Sequence, residues 1–255
     1  MAHYLVAVTP LAGHLAPMLA IGVGLQALGH DITVLTGAEF AETVETAGIE
    51  CVPLPEDLRI GPPAAVPAAW RHVPALLRRF RLGRAELDAV YTAPLAVEAA
   101  SLRGALRGRR VDAILADVTF TGVVPLLRGD ADRPPVVVCG VGPLTLTSAD
   151  TPPFGMAWRP EPGRTYRAMN SVAHRVIMRG SRRAFDRALR RTGGGPSPVF
   201  ISDWPRLADA LMQLSVPDFE YPRRDLPGTV EFVGPVVPVD VRAAELPSWW
   251  GDVRT

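Results

Sequence analysis

The sequence contains no lysine, so arginine supplies all 27 of its basic side chains. Mechanisms that need a lysine, such as Schiff-base formation or phosphate binding by a phosphate-loop lysine, are therefore excluded. Cysteine is scarce as well: Cys51 and Cys139 both lie in strand-like apolar runs and lack metal-ligand spacing. We interpret both as buried thiols of a reducing compartment, and we predict neither a metal site nor a resident cofactor.

An excess of charge of one sign is also missing, because 26 acidic residues balance the basic ones to a net charge of +1. We therefore expect no nucleic acid and no anionic membrane surface as a partner. The apolar N-terminus has no cationic leader and is interrupted by Pro10, His14 and Pro17. It fits neither a signal peptide nor a membrane span, so we expect a cytoplasmic protein.

Hydrophobic residues make up 48% of the 255 residues, which is enough for a sizeable core. Apolar runs and amphipathic segments alternate in a way that favours βαβ units and a doubly wound, mostly parallel α/β sheet of the Rossmann-like type. Strands are predicted at 3–9, 31–36, 49–54, 111–118 and 134–141, with two more within 209–222 and 228–237. Helices are predicted at 15–28, 38–48, 75–108, 119–128 and 164–193.

Two long loops interrupt this alternation, at 55–75 and 142–163, and loops of that length in a compact domain are often functional. Within the helical segment 75–108, Gly83 and Pro94 are the predicted points of division. The C-terminal residues are proline-rich and contain no complete element. We therefore predict one domain over 1–235 and an interdomain linker over 236–255.

A dinucleotide-binding fingerprint is the first motif to test. Gly22 to Ala27, "GVGLQA", fits the pattern G-x-G-x-x-A. In that fingerprint the glycines lie in the turn directly after the first strand, whereas here they lie inside the first predicted helix. We interpret them as small residues for close packing of helix against sheet, and no nicotinamide or flavin site is predicted.

His14 lies in "VTPLAGHLAP", between the first strand and the first helix. Open α/β sheets bind ligands at the carboxyl ends of their strands, where helix N-termini also point. A histidine there can titrate near neutrality and act as a general base. A structural or merely exposed histidine is an equally good interpretation of its position alone.

Asp117 ends the fourth predicted strand, after the apolar residues "AILA". It should therefore open onto the same edge of the sheet as His14. A hydrogen bond from Asp117 to one imidazole nitrogen would fix the tautomer and leave the other nitrogen basic. The alternative is that Asp117 only caps the helix that follows it.

A longer stretch, "AVTPLAGHLAPMLAIGVGLQALGHDITVLTG", resembles the opening of nucleotide-sugar-dependent glycosyltransferases of the GT-B fold. The resemblance is closest to the macrolide and antibiotic branch of the UDP-glycosyltransferase superfamily. Its G-H-x-x-P segment matches Gly13, His14 and Pro17. Three later segments resemble this branch in the same order: "SADTPPFG" (148–155), "VPDFEYPRRDLPGTVEFVGP" (216–235) and "LPSWWGD" (246–252).

The resemblance implies inverting transfer of a sugar from a nucleotide diphosphate to an acceptor hydroxyl. It makes His14 the catalytic base and Asp117 its partner, and it places Gly13 in the loop near the donor phosphates. Members of this family carry a second, donor-binding domain, and this sequence stops at Thr255, where that domain would begin. We therefore expect the N-terminal, acceptor-binding half, inactive by itself, with the donor-binding domain as its partner.

The acceptor implied by the resemblance is a small hydrophobic natural product, such as a polyketide or macrolide. Large apolar side chains in or beside the two long loops are the candidates to bind it, although such residues more often pack in the core. These candidates are Trp70, Phe80, Phe154 and Met156. The alternative function is a stand-alone, non-catalytic domain that binds a ligand or a partner. A homodimer is compatible with the sequence.

Overall fold

The computed structural model describes residues 1–56, 58, 60, 72–129, 132–156 and 158–237. The predicted acceptor residue Trp70 lies outside these residues, as does all but the beginning of the predicted linker. The segment "LPSWWGD", which contributed to the family resemblance, lies outside them too.

Seven strands form a single sheet in which every pairing is parallel. They are β1 (His3–Ala7), β2 (Asp31–Gly37), β3 (Glu50–Leu54), β4 (Ala113–Asp117), β5 (Val136–Gly140), β6 (Ala210–Gln213) and β7 (Val230–Phe232). Their order across the sheet is β3-β2-β1-β4-β5-β6-β7. The predicted doubly wound, Rossmann-like α/β sheet is thus confirmed, and it is parallel throughout rather than mostly parallel.

The described residues form seven α-helices. They are α1 (Ala12–Ala27), α2 (Ala41–Thr46), α3 (Ala75–Leu87), α4 (Leu95–Leu106), α5 (Val124–Gly129), α6 (Arg167–Val172) and α7 (Arg179–Arg191). Short 3₁₀ turns lie at 38–40, 121–123, 201–207 and 217–219, and π-helical segments lie at 88–92 and 173–177.

The core lies on both faces of the sheet because successive side chains of a strand point to opposite sides. In β1, Leu5 and Ala7 pack into one apolar cluster together with residues of α4 and α7. Val6 packs into the other cluster, with Met18 of α1. A strand that buries both faces reads as a continuous apolar run, which is why β1 could be recognised from the sequence.

The predicted division of the third helix at Gly83 is wrong. Helix α3 passes through Gly83 to Leu87, and the π-helical segment follows it to Thr92. The break comes at Pro94, immediately before α4. A single glycine inside a helix costs only about 1 kcal/mol, whereas proline removes a backbone donor and clashes with the preceding turn. The predicted helix over 164–193 is likewise divided, with its break at Met178 between the second π-helical segment and α7.

The glycines of "GVGLQA" lie inside α1, as predicted. A Cβ atom on Gly22 would stand 3.4 Å from a side-chain carbon of Ile32 and 3.5 Å from one of Ile49, so this glycine lets the helix approach the sheet. Gly24 faces open space and has no such role. Cys139 is buried as predicted, but Cys51 is only partly buried.

In the described ranges, none of the helices combines the length and the apolar character needed to cross a membrane.

Gly122, in the 3₁₀ turn between β4 and α5, gives a direct test of the packing on this side of the sheet. A Cβ atom there would collide with Cβ of Glu98 and would lie 2.6 Å from the backbone nitrogen of Ala99. Because backbone cannot move aside cheaply, we expect Gly122→Ala to lower the free energy of unfolding by about 1–3 kcal/mol or more, measured by denaturant titration. Gly24→Ala is the control, and it should raise stability by about 0.5–1 kcal/mol. Equal stability of the two variants would contradict the described packing.

Candidate active site

The candidate site lies where the strand order reverses. β1 leads to β2 and β3 on one side, and the chain returns to place β4 on the other side of β1. Connections leave the carboxyl ends of β1 and β4 in opposite directions, which opens a crevice between them, and parallel α/β sheets bind ligands in such a crevice. The two predicted catalytic residues, His14 and Asp117, flank it.

His14 is closer to the helix than the sequence analysis predicts. Helix α1 begins at Ala12, so His14 lies in its first turn rather than in the loop before it. Its backbone N–H donates to the carbonyl of Leu11 at 2.9 Å, which closes that turn. The helix therefore fixes the backbone of His14 and leaves only the orientation of the ring to be set by side-chain contacts.

The ring of His14 is oriented by Asp117. Nδ1 of His14 lies 2.8 Å from Oδ1 of Asp117, although 103 residues separate the two in sequence. The Asp117 side chain is fully buried, whereas 23% of the His14 side chain is exposed. Because an ionised carboxylate can only accept, Nδ1 is the donor in this hydrogen bond, and the neutral ring then has its lone pair at Nε2. The predicted contact between these two residues is present in the structure, and their catalytic role stays a prediction.

The second oxygen of Asp117 is also bonded. The hydroxyl of Thr119 donates to Oδ2 at 2.6 Å and lies 3.4 Å from Nδ1 of His14. The backbone between them is held from the core, since Nε1 of the fully buried Trp204 donates to the carbonyl of Val118 at 2.9 Å. With both carboxylate oxygens occupied, Asp117 has one orientation and transmits it to the imidazole.

The negative charge of Asp117 also acts on buried groups around it, among them Cys139 and Tyr91. Burial raises the pKa of the Cys139 thiol to about 12, and the charge of Asp117 on the neighbouring strand adds to the shift. Burial, with a smaller contribution from the same charge, also raises the pKa of the Tyr91 phenol. Both groups stay neutral at physiological pH, so neither competes with His14 as a proton acceptor.

The other predicted site residues within the described ranges lie on α1, on α3 and in the loop after β5. Gly13 is exposed in the first turn of α1, and a Cβ atom there would have no neighbour within 4 Å. Phe80 is partly buried on α3, and Met156 is partly buried in the loop after β5. Phe154, in the same loop, is 49% exposed. Among the described hydrogen bonds and core contacts, none joins Phe80, Phe154 or Met156 to His14. Their role in acceptor binding therefore stays a prediction.

Groups of three or more His, Cys, Asp or Glu side chains that could hold a metal ion are not found among the residues that the structure describes.

Sequence reasoning missed two residues around Asp117. Thr119 could have been suspected, because a hydroxyl two residues after a strand-end carboxylate is within reach of it. Glu98 could have been found from its spacing, because it shares the buried stripe of α4 with Leu95, Ala99 and Leu102. An acidic residue within an apolar helical stripe calls for a specific partner.

Comparisons with curated proteins find relatives along nearly the whole chain. A 4'-demethylrebeccamycin synthase of Lentzea aerocolonigenes is 29% identical over 99% of this chain and 60% of its own length. UDP-glycosyltransferase 2 of Phaeomoniella chlamydospora is 29% identical over 97% of this chain and 57% of its own length. The chain thus spans less than two thirds of the curated relatives it matches. No family model matches it.

Solved structures share the fold at lower identity. The glycosyltransferase of kitacinnamycin superposes with a TM-score of 0.64 and 18% identity, over 96% of this chain and 54% of that one. The calicheamicin glycosyltransferase superposes with a TM-score of 0.56 and 20% identity, over 93% of this chain and 52% of that one. At this level of identity the likeness establishes the fold alone.

The resemblance to glycosyltransferases is therefore confirmed by matches that cover nearly the full length of this chain. By sequence the chain matches UDP-glycosyltransferases, and by fold it matches antibiotic glycosyltransferases. Over 1–237 the described part is a Rossmann-like α/β unit with a single parallel sheet. This chain is accordingly identified as similar to part of known glycosyltransferases of the GT-B fold, UDP-glycosyltransferases among them.

Proposed function

We propose that the chain is the acceptor-binding part of an inverting glycosyltransferase. The reaction moves a sugar from a nucleotide diphosphate to a hydroxyl group of a hydrophobic, polyketide-like or macrolide-like natural product. One observation carries the proposal: His14, partly exposed in the crevice at the strand-order reversal, is bonded at 2.8 Å to the fully buried Asp117. The named activities of the relatives support the same reaction class.

In this mechanism Nε2 of His14 takes the proton of the acceptor hydroxyl as its oxygen attacks the anomeric carbon. The new carbon–oxygen bond forms on the face opposite the leaving group, and the nucleotide diphosphate departs with the electron pair of the broken bond. His14 then carries a positive charge, which the carboxylate of Asp117 stabilises at Nδ1. Thr119 keeps that carboxylate in place through its 2.6 Å hydrogen bond.

The donor diphosphate in this proposal lies beside the first turn of α1, where Gly13 leaves open space. Backbone N–H groups at a helix N-terminus favour negative charge, so helix dipoles and groups of the donor-binding domain would hold the phosphates without a metal. The nucleotide sugar is a co-substrate rather than a resident cofactor. Phe80, Phe154 and Met156, with Trp70, are the proposed apolar contacts of the acceptor.

Binding to the 255-residue chain separates the acceptor side from the donor side. We expect it to bind a hydrophobic polyketide-like alcohol and to bind a nucleotide diphosphate sugar at least roughly tenfold more weakly, since a tenfold ratio is about 1.4 kcal/mol. Isothermal titration calorimetry with each ligand measures this ratio. Tight binding of the nucleotide diphosphate sugar would contradict the assignment to the acceptor-binding half.

The activity itself is tested by glycoside formation in the intact protein that carries this chain. Hydroxylated polyketide-like acceptors are incubated with a set of nucleotide diphosphate sugars, and products are identified by mass spectrometry and the anomeric proton couplings. Product of inverted anomeric configuration supports the proposal. Acceptor binding without any product across the set would instead favour the non-catalytic, ligand-binding alternative.

A further inference from the structure

Glu98 is a fully buried carboxyl group beside the candidate site that the proposed mechanism does not use. It projects from α4 onto the 3₁₀ turn at 121–123, four residues beyond the end of β4. Its Oε2 accepts from the backbone N–H of Gly122 at 2.9 Å. Its Oε1 is buried and has no hydrogen-bond partner in the described part of the chain.

The contact between α4 and this turn is too close to be incidental. A Cβ atom on Gly122 would collide with Cβ of Glu98, so the turn sits directly on the helix at this point. The neighbouring Thr121 donates its hydroxyl to the carbonyl of Tyr91 at 2.7 Å. The segment from Val118 to Gly122, which carries Thr119, is therefore held at its far end by Tyr91 and Glu98, and at its near end by Trp204.

The surroundings of Glu98 favour its neutral form. An ionised carboxylate in a dry core is costly without a cation beside it, and none of the described elements brings a cation to Glu98. Helix α7 turns Ser181, Phe185 and Leu189 inward, and α5 buries Val124 and Pro125. Among the described residues, the ionisable group that acts on Glu98 is the carboxylate of Asp117.

We propose that Glu98 is a positioning residue for the His14–Asp117 pair. As a neutral carboxyl it anchors the N–H of Gly122 and so fixes the segment that carries Thr119, and it adds no second negative charge beside Asp117. This proposal rests on the proposed function for its purpose but not for its geometry.

The electrostatics agree with this geometry. Burial raises the pKa of Glu98 to about 8, and the charge of Asp117 adds to this shift. The amide of Gly122 and, to a smaller extent, the hydroxyl and amide of Thr121 oppose it. The coupling is mutual, so a charge that forms on Glu98 acts back on Asp117 and, through it, on His14. Glu98→Gln keeps the size of the side chain and an acceptor for Gly122 but never ionises. Glu98→Met keeps the size and removes the acceptor.

Two measurements on the 255-residue chain test the proposal. The first follows the ring carbon resonance of His14, in histidine-labelled protein, from pH 6 to pH 10. We expect the wild-type curve to show an inflection near pH 8 from Glu98 that the Glu98→Gln curve lacks. A residue with only a packing role would not produce this difference. Superimposable curves for the two proteins would overturn the proposal.

The second measurement is amide hydrogen exchange at Gly122. We expect exchange roughly 10- to 100-fold faster in Glu98→Met than in wild type, and near-wild-type exchange in Glu98→Gln. Equal protection of the Gly122 amide in Glu98→Met and wild type would overturn the anchoring role of Glu98. If Glu98→Met does not fold, the comparison of the His14 titration curves of Glu98→Gln and wild type still tests the proposal. Neither readout requires sugar transfer. If both measurements give the expected results but His14→Ala does not change sugar transfer, the proposed function is refuted. The positioning of His14 and Asp117 by Glu98 would still hold.

Discussion

Replacing His14 by alanine should lower the rate of sugar transfer by roughly 10²- to 10⁴-fold, the usual contribution of a positioned general base. The expected loss lies in kcat, because the imidazole acts on the proton in the transition state and is only one of many groups beside the acceptor. Initial rates of glycoside formation by the intact protein, at saturating acceptor, measure this loss. Calorimetric acceptor binding should change little.

His30→Ala is the matched control for this substitution. His30 lies after α1, at the amino end of the sheet. Its ring contacts that of Tyr4 edge to face, with 5.2 Å between the ring centroids. It should transfer sugar at a rate near that of the wild type. If His14→Ala keeps a near-normal rate, or if the two variants lose the same activity, His14 is not the base.

Replacing Asp117 by asparagine should also cost roughly 10²- to 10⁴-fold in transfer rate. The amide carries no charge to stabilise the imidazolium, and its NH₂ group can donate to Nδ1, which would favour the wrong tautomer. The similar size of the two side chains keeps the packing nearly intact. The rate is measured as for His14→Ala, and circular dichroism reports whether the fold is retained.

Asp112→Asn is the control for Asp117→Asn because it lies just before the same strand, at the opposite edge of the sheet. Its carboxylate accepts from the backbone N–H of His3 at 2.8 Å and faces no part of the candidate site. We expect a small change in stability and an unchanged transfer rate. If Asp117→Asn behaves like Asp112→Asn, then Asp117 is a structural carboxylate only.

The parallel sheet could be predicted because its strands β1, β2, β4 and β5 are mostly buried on both faces, and because glycine and proline mark the ends of many segments. In a parallel sheet the carboxyl ends of all strands lie at one edge. For this reason His14 and Asp117 could be predicted to meet although they are 103 residues apart in sequence. The beginning of α1 was harder to place. Helix termini depend on which N–H groups find partners, and here Leu11 caps the helix without any side-chain hydrogen bond.

The contacts that hold the segment after β4 could not be predicted, even where a single residue such as Glu98 could be singled out. Glu98, Tyr91 and Trp204 reach the segment after β4 from three separate parts of the chain, and no sequence period links them. Their contacts are fixed by how closely α4 and the turn at 201–207 pack on the sheet. Such contacts depend on the volumes of the side chains that pack together and on the absence of a side chain at Gly122. The need for glycine there can be recognised only once its neighbours are known.

The most direct test of His14 as the base varies the acidity of the acceptor. A base is needed for an aliphatic alcohol but much less for an acidic phenol, which ionises readily without help. The measurement is the ratio of wild-type to His14→Ala transfer rates for both acceptors at one pH. If His14 is the base, this ratio is roughly 10² or more for the alcohol and falls at least tenfold for a nitrophenol. An equal ratio for the two acceptors would mean that His14 contributes to binding or structure and not to proton removal.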